Sequence, residues 1–115
     1  MSIPRKRYYC PVEVTVDVIG GRWTPVILAH LKEGTHRYGE LRRKMPDVTE
    51  KVLTQRLRQL ERDGLVARTV HDGVPAPVSY DLTPEGRSLT PVLEALYAWG
   101  ERRAAGRGLV IAPVE

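Results

Sequence analysis

The stretch from Thr49 to Asp63, TEKVLTQRLRQLERD, constrains this chain more than any other. Leu53, Leu57 and Leu60 recur at i, i+4 and i+7, which puts them on one face of an α-helix. Pro46 ends whatever helix precedes it, and Gly64 closes this one at the C′ position. Asp47 or Thr49 caps the start, and Asp47-x-x-Glu50 has the spacing of a capping box. With Val52 at the border, the outward face presents Thr49, Glu50, Lys51, Thr54, Gln55, Arg58 and Arg62.

The flanking segments define what this helix packs with. Upstream, Tyr38 to Met45 predicts a short helix with Leu41 and Met45 inside and Arg42, Arg43 and Lys44 outside. Before it, Thr24-Pro25 reads as an N-cap and first-turn proline opening a helix with Ile27, Leu28 and Leu31 inward, stopped by Gly34. Downstream, LVARTVH and PVSYDL are β-prone runs joined by Asp72-Gly73-Val74-Pro75-Ala76, a hairpin with a long tip. Thr83-Pro84-Glu85 opens a last helix with a stripe of Leu89, Val92, Leu93, Leu96 and Trp99 or Gly100, which Pro91 is expected to kink. The segment PVEVTVDVI after Cys10 has two readings. Val12, Val14, Val16 and Val18 alternate as in a strand, whereas Val12, Val16 and Ile19 fit one helical face with Pro11 in its first turn. Gly20-Gly21 is a turn that breaks the segment, with none of the residues a phosphate-binding loop needs after it. Residues 1–9 form a basic arm containing Arg5, Lys6 and Arg7, and residues 104–115 a tail with little regular structure. Taken as helices before a single hairpin and a closing helix, these elements predict a mainly α fold with a small β-hairpin wing, the winged helix-turn-helix.

Composition narrows the function classes. A chain of 115 residues fits one domain, here residues 10–103, and is small enough to gain from a partner subunit. With 18 Lys plus Arg against 14 Asp plus Glu, the formal charge is +4, a mild bias toward polyanions. Cys10 is the single cysteine, so neither an intrachain disulfide nor a cysteine zinc site is expected. His30, His36 and His71 lack metal-ligand spacing, and no cofactor motif occurs. No apolar run is long enough to span a membrane, and no apolar stretch of a secretion signal follows MSIPRKRYYCP, so a cytoplasmic location is expected. Trp23 and Trp99 read as core or interface anchors.

Three blocks carry a family resemblance: CPVEVTVDVIGGRWTPVIL, YGELRRKMPDVTEKVLTQRLRQLERDGLVAR and VPAPVSYDLTPEGRSLTPVLEALYAWG. In order and spacing, from about Cys10 to Gly100, the chain resembles the HxlR-type winged helix-turn-helix regulators, relatives of the MarR group. The resemblance implies a homodimer whose first and last helices pair across a two-fold axis. It implies a helix after Cys10 and no enzymatic activity. One position departs from the family: a basic residue is common just before the second wing strand, where this chain has Pro77. Some relatives use a cysteine placed like Cys10 to sense oxidants or reactive carbonyls. A helix N-terminus and neighbouring cations both favour a thiolate, which is the reactive form.

The expected partner is double-stranded operator DNA. A helix fits the major groove, where base pairs show distinct donors and acceptors, and its N-terminal half makes most base contacts. Thr49, Lys51, Thr54 and Gln55 are therefore the candidate base readers, with Arg58 reaching bases or phosphate. Arg37, Arg42, Arg43 and Lys44, and Arg68 and His71 on the hairpin, are candidate phosphate contacts, which position the protein without reading sequence. Glu50 is awkward near phosphates; it serves as a cap or reads a cytosine amine. Cys10 is the candidate sensor, and an oxidant or a small molecule the candidate effector. The competing reading is a winged-helix module that binds protein and not DNA; it needs no exposed Lys51, Gln55 and Arg58 beside Arg42 and Arg43.

Overall fold

The computed structural model describes residues 7–112. Arg5 and Lys6 of the basic arm and the last residues of the tail, 113–115, lie outside the described residues.

Helix α1 spans Pro11–Ile19. Its start is locally specified: Pro11 sits in the first turn, and the Glu13 carboxylate accepts the amides of Tyr9 at 2.7 Å and Cys10 at 3.0 Å. These end contacts override the valine alternation, so the helix implied by the resemblance forms. No α1 residue is fully buried; Val18 and Ile19 lean on the core while Val12, Val14 and Val16 stay exposed. Gly21, with φ at +92°, turns the chain into α2, Thr24–Lys32. Thr24 is not the expected N-cap. It is already helical and buried, with Trp23 at the cap position and no side-chain cap bond, because packing against the core outweighs its capping tendency.

A two-residue strand, β1 (His36–Arg37), precedes α3 (Tyr38–Lys44). Helix α4 spans Glu50–Arg62 and is capped by Thr49, whose Oγ1 accepts the Val52 amide at 3.1 Å. The Asp47-x-x-Glu50 capping box does not form, since Glu50 is already the first helical residue. Gly64, with φ at +78°, closes the helix, and the Leu65 amide reaches back to the Leu60 carbonyl at 3.0 Å. Strands β2 (Val66–Val70) and β3 (Val78–Leu82) pair antiparallel from Val66 opposite Leu82 to Val70 opposite Val78. The wing is more than a hairpin, because β1 adds to β3 with His36 opposite Tyr80, giving the order β1-β3-β2.

The expected single kinked helix after Thr83 is two helices, α5 (Pro84–Arg87) and α6 (Thr90–Arg107). Pro91 kinks nothing. It lies in the first turn of α6, where its missing N–H has no intrahelical partner to lose. Helix α6 also runs into the segment expected to be an irregular tail and stops at Gly108, whose φ of +64° makes a left-handed cap. Residues 109–112 have no regular structure. The core joins Ile27, Leu28 and Leu31 of α2, Leu41 and Met45, the three leucines of α4, and Val66, Tyr80 and Leu82 of the sheet. None of the helices described is long and apolar enough to cross a membrane.

Candidate nucleic-acid interface

Helix α4 is anchored by Leu53, Leu57 and Leu60, each at most 1% exposed, so its opposite face is held at the surface without freedom to roll. That face carries Thr49, Glu50, Lys51, Gln55 and Arg58, all exposed. Thr54 is half-buried at its edge, where the Tyr38 hydroxyl lies 3.4 Å from Thr54 Oγ1 and also 3.4 Å from the Glu50 carbonyl. These are long contacts, and they place the α3 ring against the first turns of α4. The Thr49 oxygen is occupied by the Val52 amide, leaving its hydroxyl proton and methyl group outward.

The surrounding cations divide into free and engaged. Arg43 and Arg37 are exposed, and Arg37 stands at the N-cap of α3, where its amide donates to Glu40 at 2.7 Å. That amide holds the Glu40 carboxyl below its usual range. Arg42 turns inward and donates to the Val48 carbonyl, stapling the α3–α4 turn. Lys44 donates to His36 Nε2 at 2.8 Å, and His36 Nδ1 lies 2.8 Å from the Gly34 carbonyl. A carbonyl can only accept, so Nδ1 of the buried His36 is the donor in that contact. Nearby His30 is pushed below the ordinary imidazole value, first by burial and then by the Lys44 charge.

On the wing, Arg68 is exposed opposite Tyr80. His71 folds back: its amide donates to the Pro77 carbonyl at 2.8 Å, and Nε2 lies 2.8 Å from the buried Ser79 hydroxyl. Pro77 directly precedes β3, so the position where a cation is common closes the wing by its carbonyl instead. Sequence reading passed over Arg56, which shares a groove with Gln55, Arg58 and Arg62 along α4. The spacing 55, 58, 62 carries the signal for three of them, but Arg56 borders the leucine face and breaks that pattern. Cys10 is exposed at the N-cap of α1. The Arg7 guanidinium, expected beside it, lies 5.4 Å from the Tyr9 ring centre.

A rigid polar helix behind a stapled turn, flanked by a three-stranded wing, defines a winged helix-turn-helix transcriptional regulator. More narrowly, the chain belongs to the HxlR-like helix-turn-helix family, whose model matches residues 18–106. It is 51% identical over 96 residues to YtcD of Bacillus subtilis, an uncharacterised HTH-type transcriptional regulator, covering 84% of this chain and 76% of that protein. Among solved structures it is similar to the redox regulator HypR in its oxidised form, with a TM-score of 0.78 and 46% identity over 81% of this chain and 96% of the other. It is also similar to diamide-treated YodB from B. subtilis, with a TM-score of 0.68 and 32% identity over 84% of this chain and 96% of the other.

Proposed function

We propose that the protein binds a palindromic operator as a homodimer, with α4 in the major groove, and that oxidants or electrophiles acting on Cys10 alter that binding. The observation that carries the DNA-reading part is the division of α4 into a buried leucine face and an exposed face bearing Lys51, Gln55 and Arg58. Thr49, Lys51, Thr54 and Gln55 read base edges, and Arg58 reaches bases or phosphate. Arg37, Arg43 and Arg68 contact phosphates, while Arg42, Lys44 and His71 act mainly by holding the turn and the wing in shape. Dimerisation is supported by apolar surface left uncovered on one chain: Val12 and Val16 of α1 are 64% and 55% exposed, and Leu96 and Trp99 of α6 are 48% and 60% exposed. The continuation of α6 past Ala104 supports a dimerising domain that reaches Gly108. The redox part is supported by the exposure of Cys10 and by the likeness to HypR and YodB.

Selection of bound sequences from random DNA, with reduced and diamide-treated protein, tests the reading. An enriched palindrome bound by reduced protein and released by diamide supports it. Persistence of diamide release in Cys10→Ser sinks the role of Cys10. Failure to enrich any sequence even at low salt sinks DNA reading itself and favours a protein-binding module. For a dimer engaging roughly six to ten phosphates, affinity falls by about 10³–10⁵ between 50 and 200 mM salt.

A further inference from the structure

Helix α1, the Gly20-Gly21 turn and the C-terminal half of α4 border a cleft of about 420 Å³, of a size that holds a small ligand. Val18, Leu60 and Tyr8 give it apolar and aromatic walls, and Asp17, Arg56 and Asp63 supply its charges. These charges are not equivalent. Asp63 already accepts the Gln59 amide at 2.8 Å. Arg56 also lines the groove it shares with Arg58 and Arg62. Asp17 Oδ2 is sealed from solvent and meets no hydrogen-bond donor among the described residues. A buried carboxylate oxygen without a donor is rare in folded proteins, because desolvation is then uncompensated.

We propose that this cleft is an effector site for a small organic cation, an amine or amidine with an apolar or aromatic body. The N–H groups donate to the Asp17 carboxylate, and the body packs on Val18, Leu60 and the Tyr8 ring. Among the described residues two carboxylates and one guanidinium line the cleft, so a single positive charge balances these groups and an anion does not. The ligand touches α1 and α4 together. It therefore couples the helix bearing Cys10 and the exposed valines to the helix that faces DNA. That coupling rests on the DNA-binding reading; occupancy of the cleft does not.

The test is calorimetric titration of the full chain, without DNA, with benzamidine as probe, benzyl alcohol as neutral control and benzoate as anionic control. The expected result is saturable benzamidine binding, one per chain, with benzoate inert. Asp17→Asn keeps the shape and removes the charge; it should weaken benzamidine about 10–100-fold, the effect of losing a charge-assisted hydrogen bond. If that variant does not fold, amide shift mapping on the wild-type protein decides, and benzamidine must perturb Val18, Gly21 and Gln59. Absence of saturable binding at millimolar probe, equal binding by Asp17→Asn, or perturbations elsewhere overturn the proposal. So does a donor from a second copy seated on Asp17 in the assembled protein. Benzamidine binding by a protein that selects no DNA leaves the site standing and removes only the coupling.

Discussion

At the start of α4 the Thr49 oxygen is committed to the Val52 amide, and Thr54 is shielded by Tyr38, so the least encumbered of the proposed reading groups are Lys51, Gln55 and Arg58. Gln55 suits bidentate pairing with adenine. Gln55→Ala is expected to reduce discrimination at one base pair of each half-site by about 1–3 kcal/mol, measured by competition among operator variants; an equal loss on every sequence contradicts that role. Arg68→Ala is expected to behave in the opposite way, weakening all sequences alike and lowering the salt slope by about 1. His30 titrates against the fold. Its folded value lies below the ordinary 6.5, so the unfolded chain binds the proton more readily. That contribution is complete above about pH 6.5 and is lost as pH falls through the unfolded value toward the folded one. Chemical denaturation at pH 5 and 7.5 is expected to show a smaller acid loss for His30→Gln than for the wild-type protein. An identical loss removes His30 as its source.

Among the elements, the junction of wing and closing helices is set by close backbone approach. Thr83 Oγ1 accepts the Gly86 amide at 3.0 Å and donates to the Gly64 carbonyl at 2.6 Å, drawing α5 onto the end of α4. A Cβ on Gly86 would sit 2.1 Å from the Leu65 carbonyl oxygen, which belongs to backbone and has little room to move. Gly86→Ala is expected to lower stability by about 1–3 kcal/mol in urea titration, even though alanine is the better helix former. A neutral or stabilising effect would mean that α5 is free to shift. The sequence shows Thr83-Pro84 as a helix start but not this need for glycine, since the opposing carbonyl comes from across a turn. The same reason hid β1: two residues carry no periodicity, and only pairing with β3 makes His36–Arg37 a strand.

At the scale of the whole molecule, uncovered apolar surface points outward along α1 and the middle of α6. Only Leu93 and Ala104 of α6 are buried, while Tyr97 and Trp99 are 71% and 60% exposed, with the Arg103 guanidinium 5.9 Å from the Trp99 ring centre. Trp99→Glu is expected to shift the protein to monomer in sedimentation analysis. Operator affinity should then fall by about 10²–10⁴-fold, because two linked half-site contacts become one. A variant that keeps the wild-type mass moves the interface away from α6.

Local chemistry settled much of this protein in advance. Leucine spacing, Pro46, Gly64 and the two β-prone runs specify α4, its neighbour and the wing, because each signal acts within a turn or a hairpin. The proposed reading face follows directly, being whatever the leucines leave outside. What only the tertiary structure decided involves groups distant in sequence. Arg42 staples a carbonyl, Lys44 is held by His36, and His71 is latched to Ser79, so three of the expected phosphate contacts are engaged within the fold. Thr24 and Thr49 have equal capping ability, yet packing buries one and leaves the other at a helix start. Asp17 lies in the valine-rich segment that reads as strand or helix, and only the tertiary structure shows its oxygen buried without a donor among the described residues. The reason is common to all of these: propensity and periodicity act over a few residues, whereas hydrogen-bond partners and burial depend on which segments meet.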